Sequence, residues 1–195
     1  MVPMRVQMKW SLHFLILGVL LLAALPSNAF VVNSNASGQT RRWLLLIANS
    51  AVSTNAVNPL SKSIRYFLGS GTFSTAQAEA ELNAIRASFD QWQSVPGTAL
   101  QFEDAGLVAS GADVNISDGT NVIFWAKQST LINGGFDDIS GALSVTYHRV
   151  TEDNIIREAD IVLNGVQFQW FTDPNAQTTE EQFIESTVLH EIGHF

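Results

Sequence analysis

The chain contains no cysteine. Disulfide cross-links, a thiolate nucleophile and cysteine ligation of metal are therefore excluded, and stability has to come from packing or from metal held by other side chains. Basic residues are scarce as well: 10 Lys and Arg stand against 18 Asp and Glu, a formal charge of −8. An acidic chain repels nucleic-acid phosphates and anionic lipid, which argues against either as the main partner. Repeats and long low-complexity tracts are absent, and one long apolar run, Leu12 to Leu25, is present.

That run follows Arg5 and Lys9 and closes on Pro26-Ser27-Asn28-Ala29, a small-residue site of the A-x-A kind. At about 14 residues it falls short of the roughly 20 needed to span a bilayer. Residues 1–29 are expected to be a secretory signal cleaved near Ala29, which makes the mature chain extracellular and gives no stable membrane insertion. Cleavage removes two basic residues and no acidic one, leaving 8 against 18 and a formal charge of −10. The rest suits one globular domain, since 195 residues are too few for two ordinary ones and 46% are hydrophobic.

Residues 30–60 read as a leader or linker. Val31 to Thr40 is rich in Asn, Ser and Gly without a period, and Trp43 to Ile47 is a short apolar patch. The patch suits an extra strand or packing segment, with a cleft-covering propeptide remnant as the competing reading. Ser63 to Leu68 then predicts a strand. Ser74-Thr75-Ala76-Gln77 has capping-box spacing, and Ala78, Leu82, Ile85, Phe89 and Trp92 form one helical stripe that ends near Pro96-Gly97. Short strands are expected at Leu100–Phe102, Asp113–Ile116, Val122–Trp125, Ala142–His148 and Ala159–Leu163. Thr178 to Gln182 offers two overlapping capping boxes for a last helix carrying Phe183, Ile184, Val188, Leu189 and Ile192.

On that helix stands His190-Glu191-Ile192-Gly193-His194. Imidazoles four residues apart project from one helix face one turn apart, and neutral imidazoles so placed bind zinc at about 2.0–2.1 Å. With four His and nine Glu in the chain, the H-E-x-x-H pattern arises by chance roughly 0.004 times per chain. The competing reading is two ordinary helix histidines and a solvated glutamate. A catalytic zinc takes three protein ligands and a water, and a carboxylate beside the first ligand can accept that water's proton. His190 and His194 are thus the candidate ligands, Glu191 the candidate base, and peptide hydrolysis the reaction class. No third ligand is evident: His13 leaves with the signal, and His148 lies in an expected strand. Asp137, Asp138, Glu152 and Asp153 are loop acids of the kind that supply oxygens to a structural calcium ion, with solvated loops as the competing reading.

From Ser63 to Phe195 the sequence resembles the matrixin-like branch of the metzincin metallopeptidases. Val188 to His194 looks like the start of the longer H-E-x-x-H-x-x-G-x-x-H signature. Three weaker pieces follow the family's order: Ala87 to Trp92 with Leu100–Phe102, then Ala112 to Ile116, then Ser140 to Val145 with Glu158 to Asn164 and Trp170. The resemblance implies an α/β (α+β) fold, the metzincin upper subdomain, in which a twisted mixed five-stranded sheet carries two helices and the second helix bears the zinc motif. It also implies one antiparallel edge strand lining the substrate cleft, by position Ala142 to Tyr147, so that Ala142, Leu143, Ser144 and Val145 would touch an extended peptide. Residues 61–195 would be the N-terminal part of a catalytic domain whose C-terminal subdomain is missing. The thiol-based latency of animal matrixins cannot operate without cysteine.

The family's glycine and third histidine would fall three and six residues after His194, beyond this sequence, together with its methionine turn. The sequence is accordingly expected to be a fragment cut within the active-site helix, binding zinc weakly through two ligands and hydrolysing little. Two other readings stand beside the secreted zinc endopeptidase: a zincin completed by a downstream glutamate, and a non-catalytic secreted module that keeps the fold and its peptide-binding edge. Transcript sequence past the Phe195 codon separates them. Glycine and histidine at those two positions are expected, and a genuine stop codon there would end the enzyme reading for this molecule.

Overall fold

A computed structural model describes residues 34, 36–45, 53–109, 113–173, 175 and 181–195, within a unit spanning Asn33–Phe195. The expected signal, residues 1–29, and the capping letters from Thr178 to Glu180 lie outside the described residues. The architecture is mixed α/β, a sheet of mostly parallel strands with two helices. Among the described residues no helix is long and apolar enough to cross a membrane.

Val122-Ile123-Phe124-Trp125-Ala126 forms strand β4, buried at every position, as an apolar run covered on both faces should be. It lies between β2 (Ile64–Gly69) and β8 (Ile155–Asn164), parallel to both. Beyond β2, β3 (Phe102–Val108) adds a further parallel strand. One side of β8 carries β4 along its end and β1 (Arg42–Trp43) at its start; the other carries β7 (Ser144–Val150), antiparallel. Six strands therefore make the sheet where five were expected, because the leader patch contributes β1. Short pairings flank it: β5 (Leu131–Ile132) with β6 (Asp137–Asp138), and β9 (Gln169–Phe171) with β10 (Glu181–Phe183).

Alternation along the strands sends side chains to two cores. Ile64, Tyr66, Leu68, Ile123, Trp125, Ile161 and Leu163 face α1 (Ala78–Gln93) and α2 (Ile184–Ile192), where they meet Leu82, Ile85, Phe89, Ile184, Val188 and Ile192. Phe89 stacks on Tyr66 with ring centroids 3.9 Å apart. On the opposite face Val122, Phe124, Ala126 and Val162 pack with Val114, Ile132 and Ile139.

Local chemistry displaced four expected elements. Thr75–Gln77 forms a 3₁₀ turn, so α1 starts at Ala78 without a side-chain cap, and the buried Glu81 carboxylate accepts the Ser74 N–H at 2.9 Å instead of a Ser74 capping box forming. Burial raises the Glu81 pKa above its ordinary value. The third strand starts at Phe102, not Leu100, and bulges where Gly106 takes a positive φ of 105°. Asp113–Ile116 is a loop: Asp160 takes the Asn115 N–H at 3.1 Å, while Asp113 turns to the N–H groups of Asn133 and Gly134. Finally, Glu181–Phe183 pairs with β9, so α2 begins at Ile184 and lacks the expected acidic capped first turn at Glu181 and Gln182.

A polar rim ties the starts of β4 and β8 together. Asp160, 1% exposed, accepts the N–H groups of Val122 and Asn115, and Asn121 accepts the Ala159 N–H while donating to Ala56 and Arg65 carbonyls. Glu158, equally buried, accepts the Gly119 N–H with one oxygen, while the other oxygen is buried without a donor. The neighbouring Asp118 carboxyl can become its partner once one of the two carries a proton. Burial pushes Asp160 up to about 6 and Glu158 up to about 7. A carboxyl whose pKa is higher folded than unfolded contributes stability below its unfolded value and loses it as pH rises through the folded value. The melting temperature is expected to fall from pH 5 to pH 8, by an amount worth on the order of 2 kcal/mol. Glu158→Gln keeps the Gly119 bond and is expected to flatten that slope; an unchanged slope would show that the Glu158 charge is not its source.

Candidate metal centre

Helix α2 is placed from three sides. Its apolar side chains Ile184, Val188 and Ile192 enter the core, and α1 holds its backbone: Trp92 Nε1 donates to the Leu189 carbonyl at 2.7 Å and Ser88 Oγ to that of Glu185 at 3.1 Å. From the leader, Trp43 Nε1 donates to the Phe195 carbonyl at 2.7 Å. The α-helix ends at Ile192, and His194 stands on the turn that follows, not within the helix as the pattern suggested. Gly193 keeps helical torsions, and Gly193 N–H to His190 and His194 N–H to Glu191 bonds of 3.0 and 2.9 Å tighten the turn. Both imidazoles therefore still face one way.

Their Nε2 atoms lie 3.2 Å apart, with ring planes at 76°. Two nitrogens at about 2.0–2.1 Å from one tetrahedral zinc are separated by roughly 3.3 Å. The spacing of the pair matches that of two nitrogens on one zinc, and the exposed edge of His190 leaves an ion an approach. In the metal-free protein the same spacing accommodates an N–H···N bond between neutral rings. Among the described residues no third His, Asp or Glu joins them to make a three-ligand group.

The Glu191 side chain turns to β7. It is 6% exposed, and its carboxylate lies against β7, with Ser144 Oγ on one oxygen and Thr146 Oγ1 on the other, both at 2.6 Å. Both lengths lie within the range of O–H···O hydrogen bonds. Of the four residues expected on the edge strand, Ser144 and Val145 lie in β7, whereas Ala142 and Leu143 precede it, after the turn at Ser140 and Gly141. Among the described strands β7 pairs with β8 alone, and none of them lies along its outer edge.

His148, also on β7, reaches the same turn: its Nε2 bonds the His194 carbonyl and its Nδ1 lies 3.4 Å from Arg41. Burial lowers its pKa and favours the neutral ring. With both ring nitrogens engaged, His148 braces the turn of the histidine pair. The loop acids stay apart: Asp137 and Asp138 precede β7, while Glu152 and Asp153 sit in the exposed turn after it. Sequence spacing could not reveal Ser144, Thr146, Trp43 and His148 as neighbours of the motif; the only signal was the polar alternation Ser144, Thr146, His148.

No protein-family model, curated protein or solved structure matches the chain. His190→Ala and His194→Ala are each expected to weaken zinc binding, measured by competition with a chromogenic chelator, whereas Glu191→Gln leaves it unchanged. Undiminished affinity in both histidine variants would place the metal elsewhere.

Proposed function

We propose that residues 61–195 are the N-terminal part of the catalytic domain of a secreted zinc metalloendopeptidase of matrixin type. One observation carries the reading: two imidazole nitrogens 3.2 Å apart, a distance that suits a shared zinc, with Glu191 between them in sequence beside an open antiparallel strand. The two helices, the mostly parallel sheet and its single antiparallel edge agree with the metzincin upper subdomain that the sequence resembles. The third ligand belongs, on this reading, six residues past His194.

Each part of the chain has a task. The outer edge of β7 offers its main-chain N–H and C=O groups to an extended peptide, so that the scissile bond runs past α2. His190 and His194 would hold the metal, which would supply Lewis acidity to the scissile carbonyl and the attacking water. Glu191, each of whose oxygens keeps a lone pair beyond its hydroxyl partner, would accept a proton from that water and return it to the leaving nitrogen. The absence of cysteine leaves latency, where there is any, to a device other than a thiol.

Protein expressed from its whole reading frame is expected to cleave an unstructured protein substrate, and to stop when zinc is chelated. Glu191→Gln is expected to reduce kcat by about a hundredfold or more with zinc retained. Full zinc occupancy with tight peptide binding and no cleavage would replace the enzyme by a peptide-binding module.

A further inference from the structure

We propose that Ser144 and Thr146 are positioning residues for Glu191, fixing its carboxylate to the strand that aligns the substrate. The inference rests on the peptidase reading and deepens it. Alternation along β7 sends Val145 and Tyr147 to the second core and Ser144, Thr146 and His148 to the α2 side. A strand face turned toward a helix is ordinarily apolar, yet here the first three alternate side chains are polar and each ends on Glu191 or His194, before Val150 returns to the apolar core. Each carboxylate oxygen of Glu191 receives its own hydroxyl at 2.6 Å, and Thr146 Oγ1 also lies 3.2 Å from the Glu191 carbonyl.

Two donors on two oxygens fix a carboxylate in position and in rotation about its last torsion. One donor would leave that rotation free. Because both hydroxyls belong to the strand whose other edge is open, the base and an added peptide are referred to the same backbone, with one strand width between them. Misplacement of a reacting group by about 1 Å costs about a hundredfold in rate, so such a reference matters for turnover more than for binding. Near burial of Glu191 adds a second consequence: without the hydroxyls its ionised form would lack donors from the strand that covers it.

Substitutions that remove only the hydroxyl test this. Ser144→Ala and Thr146→Val are each expected to lower kcat by about tenfold to a hundredfold, with KM and zinc affinity unchanged, and Thr146→Ser is expected to restore kcat. In the zinc-free protein, the two hydroxyl protons should be protected from exchange, visible by NMR, and lost in Glu191→Ala. Variants that melt earlier but keep kcat, or a kcat loss that Thr146→Ser does not rescue, would overturn the proposal and leave a structural cross-link. Absence of Glu191-dependent hydroxyl protection would overturn it irrespective of catalysis. Hydrolysis unimpaired by Glu191→Gln would sink the peptidase reading instead, a result separable from the hydroxyl signals.

Discussion

Strand β8 sends Ile161 and Leu163 into one core and Val162 into the other, all fully buried, and with β4 it needs cover on both faces. Parallel strands of this kind survive only between layers. Both helices are used on one face, α1 crossing from β2 to β3 and α2 arriving at the end of the chain, so the two must also pack on each other. Ser88 and Trp92 make that contact specific through the Glu185 and Leu189 carbonyls. The height and rotation of α2 over the sheet are thereby set before any property of His190 or His194 enters.

With its apolar stripe turned inward, α2 presents its last turn to the β7 side of the sheet and to solvent. His190 is exposed because the same helical period that buries Val188 and Ile192 carries it outward. Glu191, one position on, turns under β7 and is buried. An imidazole pair on the rim and a carboxylate beneath a strand are thus two outcomes of one rotation. The turn after Ile192 is braced from below as well, by Trp43 on Phe195 and by His148 on His194. A pair of imidazoles already at ligand spacing loses little freedom on taking up an ion.

Elements with a strong period were legible in the sequence. The α1 stripe and the runs of β2 and β4 were read at nearly their observed bounds, and the expected Ala159–Leu163 covers the second half of β8, because burial on one or two faces writes itself into residue spacing. Where long-range polar bonds decide the backbone, the reading went astray. Asp113–Ile116 alternates like a strand, but Asp160, 45 residues from Asn115, captures its N–H. Glu181 and Gln182, read as part of the capped start of the last helix, instead pair in parallel, with Phe183, to Gln169–Phe171. At the site, three residues within five positions were visible as a motif. The hydroxyls that meet Glu191 come from 47 and 45 residues upstream, where spacing carries no information.

Polar contacts between β7 and α2 also bear on strand register. Replacing a buried carboxylate and its donors by well-packed apolar groups is often neutral or stabilising, so the seam is poorly explained as a source of stability alone. Its specificity is easier to see. A strand slipped by one residue turns all its side chains to the other face. Such a slip of β7 along β8 would set Val145 and Tyr147 against the Glu191 carboxylate, leaving a buried charge without donors, and would turn Ser144, Thr146 and His148 into the apolar second core. Two hydroxyls and one imidazole thus penalise the wrong register twice. The strand that holds Glu191 is in turn held to one alignment by Glu191, which couples the position of the sheet edge to that of the turn carrying His194.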